Sequence, residues 1–117
     1  MIMDNNAIIQ IRELTKSFPM GKSKFTALSN INLSLEKGEF TGLIGPSGSG
    51  KTTLLNIVGS LDTPTSGEAW VLNQSIGSLS AKEAARLRKE KLGFIFQSYN
   101  LLAVHTVFEN VEFPLLL

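Results

Sequence analysis

The stretch LIGPSGSGKTTLL, Leu43 to Leu55, decides how this chain is read. Within it, Gly45 to Thr52 fits the pattern G-x-x-x-x-G-K-[ST] at every fixed position. Ser47, Gly48, Ser49 and Gly50 let the backbone curl closely around an anion, with several N–H groups turned inward. A helix starting near Lys51 adds its positive end and its unpaired amides. Lys51 supplies a mobile charge for the outer phosphates, and the Thr52 hydroxyl is placed to ligate Mg²⁺.

The pattern needs a strand before it and a helix after it, and both are predicted. Phe40 to Ile44 is a short apolar run leading into the loop. Leu54, Leu55, Val58 and Leu61 recur at helical spacing, and Gly59 with Pro64 ends that helix. Further out, Ile8 to Arg12 and Ile31 to Leu35 alternate with period two, which predicts half-buried strands. FPMGKSK, Phe18 to Lys24, carries Pro, Gly and charge and reads as a loop between them. Gly67 to Leu72 is another strand, and Gly93 to Phe96 a short buried one. Ser80–Glu83 and Thr106–Glu109 are capping boxes; the first opens a charged helix to about Lys91, the second a helix disturbed by Pro114. The order is an antiparallel β region, then strand–loop–helix, then a helical insertion, so the class is α/β or mixed.

Composition narrows the field. The chain has the length of one domain, and 43% hydrophobic residues suffice for a core. A formal net charge of +1 gives no basic surface for nucleic acid. With no cysteine, disulfides and thiolate metal sites are excluded. There is no secretory leader pattern, and no run approaches the ~20 apolar residues that span a bilayer. A soluble chain is expected, touching a membrane only through a partner.

Holding a nucleotide triphosphate is not splitting one. Phosphate-loop hydrolases place an Asp at the end of a second apolar strand to hold the metal. Of two aspartates, Asp4 lies in the polar N-terminus and Asp62 follows a helix end; none of the eight glutamates ends an apolar run either. The strand Phe94 to Phe96 ends instead in Gln97. The metal-holding acid is missing.

Several segments together resemble the ATP-binding subunits of ABC transporters, and the resemblance covers essentially residues 1–117. GPSGSGKTTLLNIVGSLDTPTSGE is similar to their phosphate-loop segment, LGFIFQSYNLL to their Q-loop segment, and LTKSF with ALSNINLSLEKGEF to their N-terminal β region. TVFENVEFPLLL resembles the start of their helical subdomain. GSLDTPTSGE, LSAKEAARLRKEKLGFIFQSYNLL and ENVEFPLLL bring it nearest the branch that drives lipoprotein release, macrolide export and related peptide export.

The resemblance implies an α/β phosphate-loop NTPase of the ABC ATPase type: an N-terminal antiparallel β region, the start of a RecA-like core and the start of a helical subdomain. It implies ATP and Mg²⁺ as ligands. Gly45 belongs to the phosphate loop, Ser47, Gly48, Ser49 and Gly50 would offer amides, Lys51 charge, Thr52 a metal ligand and Thr53 a further phosphate contact. Phe18 would stack on adenine, where Tyr is more usual; Phe keeps the ring face. Gln97 would reach Mg²⁺ or the attacking water, with its loop facing the membrane partner. Lys51 and Gln97 are thus the implied catalytic pair, and Thr52 and Gln97 the implied metal ligands. The implied partners are transmembrane permease subunits and a second ATPase subunit in a homodimer, with no nucleic acid. The implied location is cytoplasmic, against the inner face of the membrane through the permease.

Departures from the family pattern matter too. Ala103 stands where Pro is frequent, and His105 where an apolar residue is; exposure is the favoured reading of this lone His, an altered partner-facing loop the other. Asn73-Gln74 replaces a Gly-containing turn, so a different or strained hairpin is expected there. The signature sequence, the acidic second strand and the switch histidine of the family are absent; LSAKE, Leu79 to Glu83, is a helix cap. With an apolar end at Pro114 to Leu117, the expectation is an N-terminal part of a longer ATPase, inactive by itself. Two other functions remain: a nucleotide-binding fragment without turnover, and a non-transport relative. The second is disfavoured because Glu83 and Glu90 intersperse the basic cluster of Arg86, Arg88, Lys89 and Lys91.

Overall fold

The computed structural model describes residues 6–117, so Asp4 lies outside it. The chain begins with a long hairpin: β1 (Ala7–Met20) and β2 (Ser23–Glu36) pair antiparallel and are joined by Gly21 and Lys22 alone. Gly21 has φ 61°, the positive value that a two-residue hairpin turn needs at its first position. The predicted loop from Phe18 to Lys24 is therefore mostly strand. Pro19 is tolerated because β1 pairs on its other side with β3 (Ser66–Val71) only from Ile9 to Thr15, so the missing N–H interrupts no second ladder. Phe18 pairs directly with Phe25 across this distal part of the hairpin.

The four-stranded sheet runs β2-β1-β3-β4, every pair antiparallel, with β4 only Gln74–Ser75. Leu72 and Asn73 form the β3–β4 turn at φ 48° and 64°. Both central residues are left-handed without a glycine between them, a strained hairpin; the turn lies one residue before the expected Asn73-Gln74, because Gln74 is already in β4. At the β1 bulge, Gly67 lies against the main chain of Glu13, an approach that no Cβ could share.

Among the described residues three α-helices accompany the sheet. α1 (Lys51–Val58) buries Leu54 and Ile57. The predicted stripe ran through Leu55, which is 59% exposed; the apolar face is rotated toward Ile57, which is fully buried. α2 (Ala81–Lys91) and α3 (Val107–Glu112) both start with the capping boxes read from sequence, Ser80 with Glu83 and Thr106 with Glu109. Pro114 sits in a 3₁₀ turn, Phe113–Leu116, that follows α3. Ile11, Leu14, Leu28, Leu54, Ile57, Ala69, Val71, Ile76 and Leu87 form one core between sheet and helices. Each such aliphatic side chain contributes about 1.5–3 kcal/mol when fully buried.

Two predicted strands are not strands among the described residues. Phe40 to Ile44 and Gly93 to Phe96 run without ladder partners, and Phe40, Ile44 and Ile95 are about fully exposed. Their apolar sequences suit a buried sheet, but strand structure depends on a neighbour offering main-chain hydrogen bonds. Neither segment has one on either side here.

Candidate functional site

The loop between Ile44 and α1 is shaped by its own backbone. Gly48 and Gly50 are left-handed, at φ 78° and 93°. Gly50 is also the N-cap of α1, with no side-chain cap, and the first turn carries no acid. The first helical amides are therefore uncovered by any side chain, which is what an anion requires. Lys51 is folded back over the loop: its Nζ donates to the carbonyls of Gly45 and Pro46, each at 2.6 Å, and to Ser49 Oγ at 3.2 Å.

A cavity of about 490 Å³ opens beside the loop. Ser47, Gly48, Gly50, Lys51, Thr52 and Thr53 form one wall, and Gln97 comes to it from a distant segment. Of the predicted site residues, only Gly45, Ser49 and Phe18 are outside this lining. Gly45 and Ser49 line a neighbouring cavity with Leu43 and Ile44. Two residues that sequence reading passed over, Phe25 and Ala27, complete the wall. The clue to them was FTAL, Phe25 to Leu28, a strand-like run left unassigned between the loop read at Phe18 to Lys24 and the strand read at Ile31 to Leu35.

Gln97 is positioned by aromatic packing. The Phe94 ring lies against Gly59 at the end of α1, where a Cβ would come within 2.7 Å of Phe94 Cε1. Phe94 in turn stacks on Phe96, rings nearly parallel and 5.8 Å apart. Gln97 follows directly. The oxygen donors facing the cavity, the Thr52 hydroxyl and the Gln97 amide, suit a hard cation such as Mg²⁺. Among the described residues no group of three His, Cys, Asp or Glu side chains could hold a metal.

Asp62 is committed elsewhere. Its Oδ1 accepts from Lys16 Nζ at 2.8 Å and from the Thr63 amide at 2.7 Å. Burial pushes its carboxyl up, but the Lys16 hydrogen bond, the Thr63 N–H and the lysine charge outweigh that and hold it below the ordinary value. The same Nζ donates to the Thr63 carbonyl at 2.8 Å and stands 5.1 Å from the centroid of the Phe18 ring. His105 is exposed, in edge contact with Phe113 at 6.4 Å.

Comparison with known proteins fits this geometry. The ATP-binding protein MJ0796 of Methanocaldococcus jannaschii, an uncharacterised ABC transporter component, is 45% identical over 109 residues, 93% of this chain and 46% of its own length. The macrolide export ATP-binding/permease protein MacB of Acinetobacter baylyi is 45% identical over 113 residues, 97% of this chain and 17% of its own. A solved dimeric post-hydrolysis state of the MJ0796 cassette, bound to ADP and Pi, superposes with a TM-score of 0.86 at 44% identity, over 92% of this chain and 47% of that one. The chain thus spans about half the length of MJ0796 and a smaller share of MacB. The fold is accordingly a partial ABC ATPase domain, its antiparallel β region complete with the phosphate loop and α1. The model of the ABC transporter family matches residues 28–114, and the chain belongs to that family.

Proposed function

We propose that the chain is the nucleotide-holding part of an ABC transporter's ATP-binding subunit, which couples ATP binding and hydrolysis to export or to lipoprotein or peptide translocation by a permease. The observation that carries this is Gln97 in the lining of the same cavity as Lys51 and Thr52. The loop side binds phosphate, and Gln97 supplies a polar group from a segment distant in sequence. The uncovered amides of α1 and the amides of Ser47, Gly48 and Gly50 hold the phosphates, and Lys51 leaves its own loop to meet them. Thr53 adds a hydroxyl. Thr52 and Gln97 hold Mg²⁺, which when bound neutralises phosphate charge. Gln97 also orients water. Phe18 stacks on the adenine, supported by its exposed ring at the distal hairpin.

The dimeric state of the MJ0796 cassette and the permease in MacB's name support two partners: a second ATPase subunit and a membrane permease. No helix among the described residues is long and apolar enough to cross a membrane; the reading has the chain attached to the cytoplasmic face through that permease. A second reading, nucleotide binding without turnover, is favoured by one observation: Asp62, the one aspartate among the described residues, is bound to Lys16 and lies outside the lining of the cavity that holds Lys51, Thr52 and Gln97. Titration of the full-length gene product with ATP, with and without Mg²⁺, while following phosphate release, separates the two. Saturable binding and release, both lost in Lys51→Ala, support the transporter ATPase. Binding without release supports the second reading, and binding that Lys51→Ala leaves intact overturns both.

A further inference from the structure

Lys16 is placed unlike an ordinary surface lysine. Its side chain is only 12% exposed, and one Nζ serves three neighbours at once: Asp62 Oδ1, the Thr63 carbonyl and the face of Phe18. Lys16 and Phe18 are two apart on β1, so they share a face of the strand. Asp62 and Thr63 belong to the segment leaving α1, the helix that the phosphate loop opens. Thr65 extends the join, its amide donating to the Thr15 carbonyl at 2.9 Å and its Oγ1 accepting from the Ser17 amide at 3.0 Å. The lysine is thus the charged node of a seam between the strand that carries the aromatic ring and the far end of the phosphate-binding helix.

We propose that Lys16 is a positioning residue for the nucleobase: anchored to Asp62 and Thr63, it covers one face of Phe18 and fixes the ring so that its other face receives the purine. The inference rests on the reading of Phe18 as the stacking aromatic. A free phenylalanine near the end of a hairpin samples several rotamers, and ordering it on binding weakens the complex. A cation held over the ring restricts that freedom before the ligand arrives. It also draws electron density toward its side of the ring, which favours an electron-rich base on the opposite face. Asp62 holds the cation in place, so it acts through Lys16 and never touches the nucleotide.

The distinguishing readout is the part of the affinity that comes from the base. Dissociation constants for Mg-ATP and for inorganic tripolyphosphate are measured on the full-length gene product and on Lys16→Met, Lys16→Arg, Asp62→Asn and Phe18→Ala, with circular dichroism as a check on folding. Lys16→Met is expected to weaken ATP roughly three- to tenfold and to leave tripolyphosphate unchanged. Lys16→Arg should restore most of the ATP affinity, since a guanidinium keeps both the cation and the donors. Asp62→Asn, which keeps the side-chain volume, should show the same ATP-specific loss in smaller measure and stands in if Lys16→Met does not fold. Equal weakening of both ligands in Lys16→Met or Asp62→Asn, or of neither, overturns the proposal, as the seam would then only brace α1. If Phe18→Ala leaves the ratio of the two constants untouched, the stacking reading itself falls. If it collapses the ratio while the Lys16 and Asp62 variants do not, the ring stands and Lys16 alone loses its role.

Discussion

Gly50 is wedged against the main chain of Ala27: a Cβ on Gly50 would stand 2.7 Å from the Ala27 carbonyl oxygen and 2.9 Å from Leu28 Cδ2. The last glycine of the phosphate loop is thus the point where β2 touches the start of α1, at a φ of 93° that side chains rarely adopt. Gly50→Ala is expected to cost about 1–3 kcal/mol of stability and to abolish measurable ATP binding. Chemical denaturation and ATP titration check the two effects. A variant that binds ATP normally would show that the hairpin yields and the close approach is incidental.

Gln97 and Gly59 form a second pair of expectations. Gln97→Ala should leave ATP affinity within about threefold, because the phosphates are held from the other wall, and lower phosphate release roughly 10²-fold in the full-length protein. Gly59→Ala, far from the loop, pushes on Phe94 and through Phe96 on Gln97. Its φ is −75°, so alanine brings no backbone strain. It should therefore reduce turnover more than it reduces the melting temperature. Steady-state kinetics beside thermal unfolding decide it; unchanged turnover would separate the aromatic stack from the glutamine.

The turn at Leu72 and Asn73 offers a gain. Leucine at φ 48° is strained, and Leu72→Gly relieves that while the Leu72 amide bond to the Ile8 carbonyl, 2.8 Å, survives. Leu72 is 37% exposed, so part of its packing is given up in exchange. A stabilisation of about 0.5–1 kcal/mol is expected from urea denaturation. A loss instead would mean that the leucine side chain contributes more than the strain costs.

Asp62 gives a dependence on pH. Its carboxyl is held below the ordinary value of 3.8, so the folded state favours the ionised form. That stabilisation is complete above the unfolded value and disappears as pH falls through the lower folded one. As pH falls from about 5 through 3.8 and below, Asp62→Asn should flatten part of the decline in unfolding free energy relative to the native chain. Parallel curves for the two proteins would show that the Lys16 contact contributes no net pH dependence.

The phosphate loop was legible because its chemistry is local: the glycines, lysine and threonine act within eight consecutive residues. The capping boxes at Ser80 and Thr106 were legible for the same reason. The distal hairpin was not. Pro19, Gly21 and charge read as a loop when taken one at a time, and only the pairing of Phe18 with Phe25 shows that the strands continue. Phe25, in the unassigned run just after that loop, was missed from the candidate site. Phe40 to Ile44 and Gly93 to Phe96 failed in the opposite direction, since apolar composition suits a strand but cannot supply its neighbour. The rotated face of α1, toward Ile57, was decided by what the sheet left open to it.

Lys51, bound to the carbonyls of Gly45 and Pro46, would make nucleotide capture an exchange reaction. An incoming phosphate competes with two peptide oxygens and one hydroxyl already seated on the ammonium. Neutral or singly charged ligands offer that cation little more than its own loop does, whereas the crowded negative charge of a triphosphate does. A preference of the loop for highly charged tails would therefore be built partly from ligands it already carries.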